Sequence, residues 1–369
     1  MESILSKYAK LLVNYCVELK AGERLFVSTT TLAEPLVREV YREVLKVGAH
    51  MEVDFKFREQ SKLFLDLASE EVLAMEPVLY SEAIKNFDAY INIRAPFNLN
   101  ETRNVKPEAR KLRSAAMSNL NKIYFERTAD RSVAGSLKRS LCQYPTQASA
   151  QAANMSLEEY QQFVFNACHL YADDPKGEWL KIRASQQKIK DYLDGVKEVQ
   201  YKADHTDISF SVDGRTWINS DGQTNMPSGE VFSGPVENSV NGKVHFTFPS
   251  VYMGQDVSGI TLWVENGEVV KWDAEQGKDL LDQVFDVPGA RFFGEVAIGT
   301  NYNIQQATRN ILFDEKIGGT IHMAVGQSYK QTGGKNESTV HWDMITDMRK
   351  SGAIYADGVK IYEKGQFVF

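Results

Sequence analysis

The sequence predicts an α/β N-terminal domain, a mainly parallel sheet with helices, followed by a β-rich α+β domain. Three observations predict it. Strand-like and helix-like apolar patterns alternate through the first third, helices dominate the middle, and after Gly195 the apolar runs turn short and strand-like. At 369 residues the chain exceeds what one ordinary core organises. The expected boundary lies near residue 195, giving 1–195, with a helical linker region, and 196–369.

The elements follow in order. In MESILSKYAKLLVNYCVELK the apolar residues recur every three or four positions with charges between them. That spacing predicts an amphipathic helix, not the apolar stretch of a secretory signal. Arg24 to Val27 reads as a buried strand. Pro35 opens a helix with Leu36, Val37, Val40, Tyr41, Val44 and Leu45 on one face, and Gly48 closes it. Residues 51–57 alternate Met51, Val53, Phe55 and Phe57 with charged residues, the pattern of a half-buried strand, and Ala89 to Ile93 supplies another. Ser156 and Glu159 form a capping box ahead of one helix, and a second spans Glu178 to Leu193. Beyond residue 195, ISFSV, VHFTF, ITLWV, EVVKW, TIHMAV and KIYEKGQFVF read as strands. Asn266-Gly267 between two of them signals a tight type I′ hairpin.

Composition narrows the function. Hydrophobic residues make up 43% and charged residues 25%, the balance of a soluble enzyme. The 42 basic and 49 acidic side chains leave a formal charge of −7, which argues against a nucleic-acid surface. No run approaches the ~20 apolar residues of a membrane span. Three scattered cysteines, Cys16, Cys142 and Cys168, show neither a zinc pair nor a disulfide framework, so a cytoplasmic setting is expected. The first strand–helix connection lacks the glycine patterns that cradle a nucleotide. No GxSxG elbow or HExxH helix is present.

Residues able to bind metal gather after residue 195. In VHWDM, His341 and Asp343 stand two apart on an expected strand, so both project from one face. An imidazole beside a carboxylate suits a divalent ion, although such a pair alone is more often a surface feature. His322, in TIHMAVG, reads as a satisfied core histidine or a ligand. Asp314-Glu315-Lys316 before Gly318-Gly319 reads as an ordinary turn or as an acid/base group with its charge partner. Glu230 follows Gly229 in NMPSGEVF, and Glu295 lies between Phe292-Phe293 and Val296-Ala297. A carboxylate in apolar company is costly unless paired, either with an arginine such as Arg291 or Arg309 or with a metal. Three carboxylates, two histidines and Tyr329 exceed what one zinc takes and match what two neighbouring ions share.

At these residues the sequence resembles the metallo-aminopeptidase family typified by aminopeptidase T and aminopeptidase S. The resemblance covers essentially the whole chain, from the LxxGERLFV opening and the EPLVREVYREVLKVGA helix to GRTW, NMPSGEVF, RFFGEVAIGTN, ILFDEKIGGTIHMAVGQSY and NESTVHWD. It implies metal ligands at Glu230, Glu295, His322, His341 and Asp343, with Tyr329 near or on a metal. It implies two divalent ions per chain, Zn, Co, Mn or Mg, and removal of N-terminal residues from short peptides. Glu315 is the expected general base or a further ligand, with Tyr329 or Lys316 stabilising the oxyanion. A homodimer, with its sites facing an internal cavity and the N-terminal domain as a wall or lid, is also implied. The chain departs from the pattern between Lys330 and Val340, which is short here and bears on the shape of the pocket. A second resemblance, to iron-dependent ring-cleaving dioxygenases acting on dihydroxypyridines, offers the alternative of one non-haem Fe(II) on His322, His341 and Asp343.

Overall fold

The structure, a computed structural model, describes residues 2–369. It divides into two compact units, the first formed by Met1–Lys176 with Gly222–Pro227, the second by Gly177–Asp221 with Ser228–Phe369. Among the described residues no helix is long and apolar enough to cross a membrane.

The first unit is built on a five-stranded parallel sheet. Its strands run in the order His50–Lys56, Arg24–Thr30, Ala89–Arg94, Lys138–Gln143 and Asn225–Met226. The opening helix, Ile4–Leu11, starts at the Ser3 cap and runs on as a π-helical turn, Leu12–Cys16. Helix Glu34–Val47 carries Pro35 in its first turn and ends on Gly48 in the left-handed conformation, as the sequence predicts. Its buried face is narrower than expected. Leu36, Val37, Val40 and Val44 are inside, whereas Tyr41 and Leu45 are exposed. Strand His50–Lys56 also differs, for only Met51 is buried while Val53, Phe55 and Phe57 stay exposed. It is an edge strand and pairs on one side only, so the alternation marks a strand without covering its apolar face. The Ser156/Glu159 capping box forms both its bonds, at 3.2 and 2.7 Å, ahead of helix Leu157–Ala167.

The second unit holds an eight-stranded and a five-stranded sheet. Strands Thr261–Glu265 and Glu268–Asp273 form the hairpin, with Asn266 at φ 50° and Gly267 at φ 87°. A Cβ on Gly267 would lie 1.8 Å from the Glu237 carbonyl oxygen, so only glycine fits. The five-stranded sheet is antiparallel, in the order His341–Asp347, Thr320–Gly326, Phe293–Gly299, Glu230–Ser233 and Ile218–Ser220. One of its faces supplies Val296, Ile298, Ile321, Met323, Val325, Trp342 and Met344 to a core shared with Tyr201, Phe210 and Leu262 of the larger sheet. Side chains alternate along a strand, so the residues between these must point the other way.

Candidate metal centre

That opposite face carries the predicted residues. Pairing places Glu295, Ala324 and Asp343 in one row across three strands. His341 pairs with Gly326 one row away, and His322 lies between Ala297 and Ile345 on the other side. Small residues at 297, 324 and 326 leave room among the functional side chains. Glu230 begins the fourth strand opposite Gly299. Ahead of it Gly229 has φ +121°, and a Cβ there would lie 2.7 Å from Asn301 Cβ. The side-chain amide of Gln186 donates to the Glu230 carbonyl oxygen at 3.2 Å, and Thr300 Oγ1 donates to Gln186 Oε1 at 2.8 Å.

The distances draw the cluster together. His322 Nε2 lies 3.2 Å from Glu230 Oε2 and 3.5 Å from Glu295 Oε1. His341 Nε2 lies 3.4 Å from Glu295 Oε2 and 3.5 Å from Asp343 Oδ2. The two oxygens of Glu295 therefore face different histidines. Three groups have donor atoms within 4.8 Å of one another: Glu230, Glu295 and His322; Glu295, His341 and Asp343; and Glu315, His322 and Asp343. His341 Nδ1 lies 2.8 Å from the Gln327 carbonyl, which can only accept. That contact places a ring proton on Nδ1 and leaves Nε2, which faces the carboxylates, to carry a second proton or to bind a metal.

Lys316, almost fully buried, donates to Glu230 Oε1 and Glu315 Oε1, each at 2.5 Å. The ring of Tyr329 packs 5.1 Å from that of His341 and 5.6 Å from that of Phe232. All eight predicted residues thus stand in or beside one cluster. The arginine pairing weighed for the glutamates does not form, since Arg291 reaches Glu268 and Arg309 reaches Asp256.

The electrostatics call for cations. Four carboxylates face one ammonium in a largely buried site, an excess of three negative charges when all are ionised and the histidines neutral. Burial opposes the charge of Glu295, yet the adjacent His322 and His341 hold its carboxyl down at about 2. Burial likewise works against Glu230, and Lys316 and His322 outweigh it, keeping that carboxyl below its ordinary range. Against their own burial, the neighbouring carboxylates lift both histidines to about 10. Burial pushes Glu315 up to about 8 against the pull of Lys316, with Asp343 and Glu230 adding to the rise. The Tyr329 hydroxyl is held well above its usual range by loss of hydration and by Glu295.

Hydrogen bonding shows the same lack. His322 Nδ1 and Asp343 Oδ1 are buried without a hydrogen bond among the described residues, and Glu230 Oε2 and His322 Nε2 meet only within the cluster, at ion-pair distance. Each such atom costs about 1–3 kcal/mol. A divalent cation fits this donor set, because it satisfies the orphaned oxygens and removes the need to protonate the histidines.

Sequence reasoning missed Gln186, a helix residue 44 positions before the carbonyl it holds. It also missed the apolar segment Phe248–Tyr252, which with His341 and Asp343 lines a cavity of about 230 Å³. No local pattern marks either one.

Comparison with known proteins finds relatives that are named aminopeptidases. Aminopeptidase 2 of Geobacillus stearothermophilus is 29% identical across all of this chain and 98% of its own length. Aminopeptidase AmpS of Bacillus subtilis (strain 168) is 27% identical over 99% and 98% of the two chains. The solved structure of wild-type AmpT from Thermus thermophilus superposes with a TM-score of 0.85 at 23% identity, covering 99% of each chain, which establishes the fold. The profile of the thermophilic metalloprotease family, M29, matches residues 1–367. A metal dependence follows for this chain, and the ring-cleaving alternative finds no support. The chain belongs to the thermophilic metalloprotease family M29.

Proposed function

We propose that the chain is an aminopeptidase that uses two divalent ions to remove the N-terminal residue of short peptides. The observation that carries this reading is the bridging position of Glu295, with Oε1 toward His322 and Oε2 toward His341. Glu230, Glu295 and His322 would hold one ion; Glu295, His341 and Asp343 would hold the other. When bound, such ions lower the pKa of water and polarise a carbonyl. The names of the relatives support the choice of an N-terminal exopeptidase.

The protein's own groups complete the scheme. Glu315, held by Lys316 beside His322 and Asp343, takes the proton of the attacking water and returns it to the leaving amine. Lys316 fixes Glu315 and Glu230 together, and Lys316 or Tyr329 donates toward the developing oxyanion. The chemistry is assigned to residues 196–369. A homodimer is part of the proposal, as the resemblance implies. The buried thiols of Cys16, Cys142 and Cys168 suit a cytoplasmic setting.

The experiment combines metal analysis with aminoacyl anilides and short peptides. Two ions per chain with release of the N-terminal residue would support the reading. Full metal content without turnover on any of them would sink it, and light scattering at the mass of one 41.6 kDa chain would remove the dimer.

A further inference from the structure

The cavity beside His341 and Asp343 has walls that the chemistry above does not use. At about 230 Å³ it falls below the about 300–1,000 Å³ of pockets that enclose a whole drug-sized ligand, so it suits one side chain. His341, Asp343 and Ile345 share one face of their strand, so Ile345 continues the ligand row as an apolar surface. Phe248, Val251, Tyr252 and Ile311 complete the apolar lining.

This lining is held in place. Backbone N–H groups of Thr247 and Phe248 donate to the Ile345 carbonyl at 3.0 and 3.2 Å. Trp342 Nε1 donates to Ser250 Oγ at 2.8 Å, and the Tyr252 ring stacks on Trp342 at 4.6 Å. Of the polar groups around the cavity, beyond the two ligands, Ser250 and Asp314 have buried hydrogen-bond partners and Arg309 is a half-exposed charge. Asp314 accepts from Thr308 N at 2.7 Å and from Thr308 Oγ1 at 2.8 Å, and Arg309 pairs with Asp256 at 3.6 Å. Most of what the cavity offers a ligand is apolar surface.

We propose that this cavity receives the side chain of the substrate's N-terminal residue and selects aliphatic and aromatic side chains over charged ones. The inference rests on the aminopeptidase reading. On that reading the scissile carbonyl lies at the ligand cluster, and the α-carbon of that residue is one bond from it. Its side chain leaves from within a bond of that cluster, whereas the next residue begins about 3.3–3.6 Å further along the chain. A cavity lined by two of the ligands is within reach of the first.

The test uses the metal-loaded full chain with two panels, aminoacyl anilides and leucyl dipeptides that vary in the second residue. Leucyl and phenylalanyl anilides are expected to exceed alanyl and aspartyl ones in kcat/KM at least about tenfold, the scale on which apolar pockets discriminate. Ile311 is 39% exposed, so a polar replacement does not open the core. Ile311→Glu should lower the leucyl-to-alanyl ratio at least about tenfold, and Ile311→Leu should keep it. A change confined to the dipeptide panel, or no change in either, overturns the inference and leaves the aminopeptidase reading standing. If nothing turns over, that reading fails, and calorimetry with free amino acids still decides the cavity. L-Leucine binding at least about tenfold tighter than glycine, with the difference lost in Ile311→Glu, supports it; equal binding overturns it.

Discussion

The two faces of the five-stranded sheet come from the same strands and differ in every physical respect. On one face Val296, Ile298, Met323, Val325, Trp342 and Met344 pack into the core and stabilise the unit. On the other, Glu295, His322, His341 and Asp343 crowd charge and unpartnered polar atoms into a largely buried site. A period of two thus lets neighbouring residues serve opposite ends, with the stability of one face carrying the strain of the other. Every prediction below breaks or sharpens that contrast.

The largest effect is expected from Glu295→Ala. It removes the carboxylate common to both ligand groups, so turnover should fall to background and bound metal should be lost, as anilide hydrolysis and elemental analysis would show. Next comes Glu315→Gln, which keeps shape and removes the base. The expected kcat is lower by about 10²–10⁴ while metal content stays whole; normal turnover would remove Glu315 from its role. The core face should answer the other way. Met323→Ala is expected to cost about 2–5 kcal/mol in denaturant unfolding with metal stoichiometry unchanged.

The smallest effect is a pH dependence, and its sign is fixed by the histidines. In the metal-free protein His322 and His341 rise from 6.5 to about 10, so their ionic contribution to stability is full below 6.5 and fades as pH climbs through 10. Glu295, held at about 2 from an ordinary 4.5, contributes above 4.5 and is lost only as pH falls through 2. Metal must displace the histidine protons, so its affinity should rise between pH 6.5 and 10, by up to about tenfold per unit for each proton released. Calorimetry in buffers of different ionisation heat would count those protons. Affinity flat across that interval would mean that the histidines are already neutral in the metal-free protein.

Much of the fold was legible because its signals are local. Pro35 and Gly48 bound a helix, Ser156 and Glu159 cap another, and Asn266-Gly267 turns a hairpin, each within a few residues of the structure it specifies. The candidate site was legible as residue types, since a carboxylate or histidine in apolar company has few inexpensive explanations. Its geometry was not. The row of Glu295, Ala324 and Asp343 depends on register between strands 29 and 19 positions apart. Gln186 reaches Glu230 from a distant helix, and Ile311 joins the Phe248–Tyr252 segment only through folding. The exposed side of His50–Lys56 was misjudged for a related reason, because alternation shows that a strand has two faces and not what covers them.

Metal stoichiometry tests the central claim, that the polar face holds two ions sharing Glu295. Elemental analysis of wild type, Glu230→Ala and Asp343→Ala after equal dialysis should give two ions per chain for wild type and at most one for each variant. One ion in wild type, or unchanged content in both variants, would contradict it.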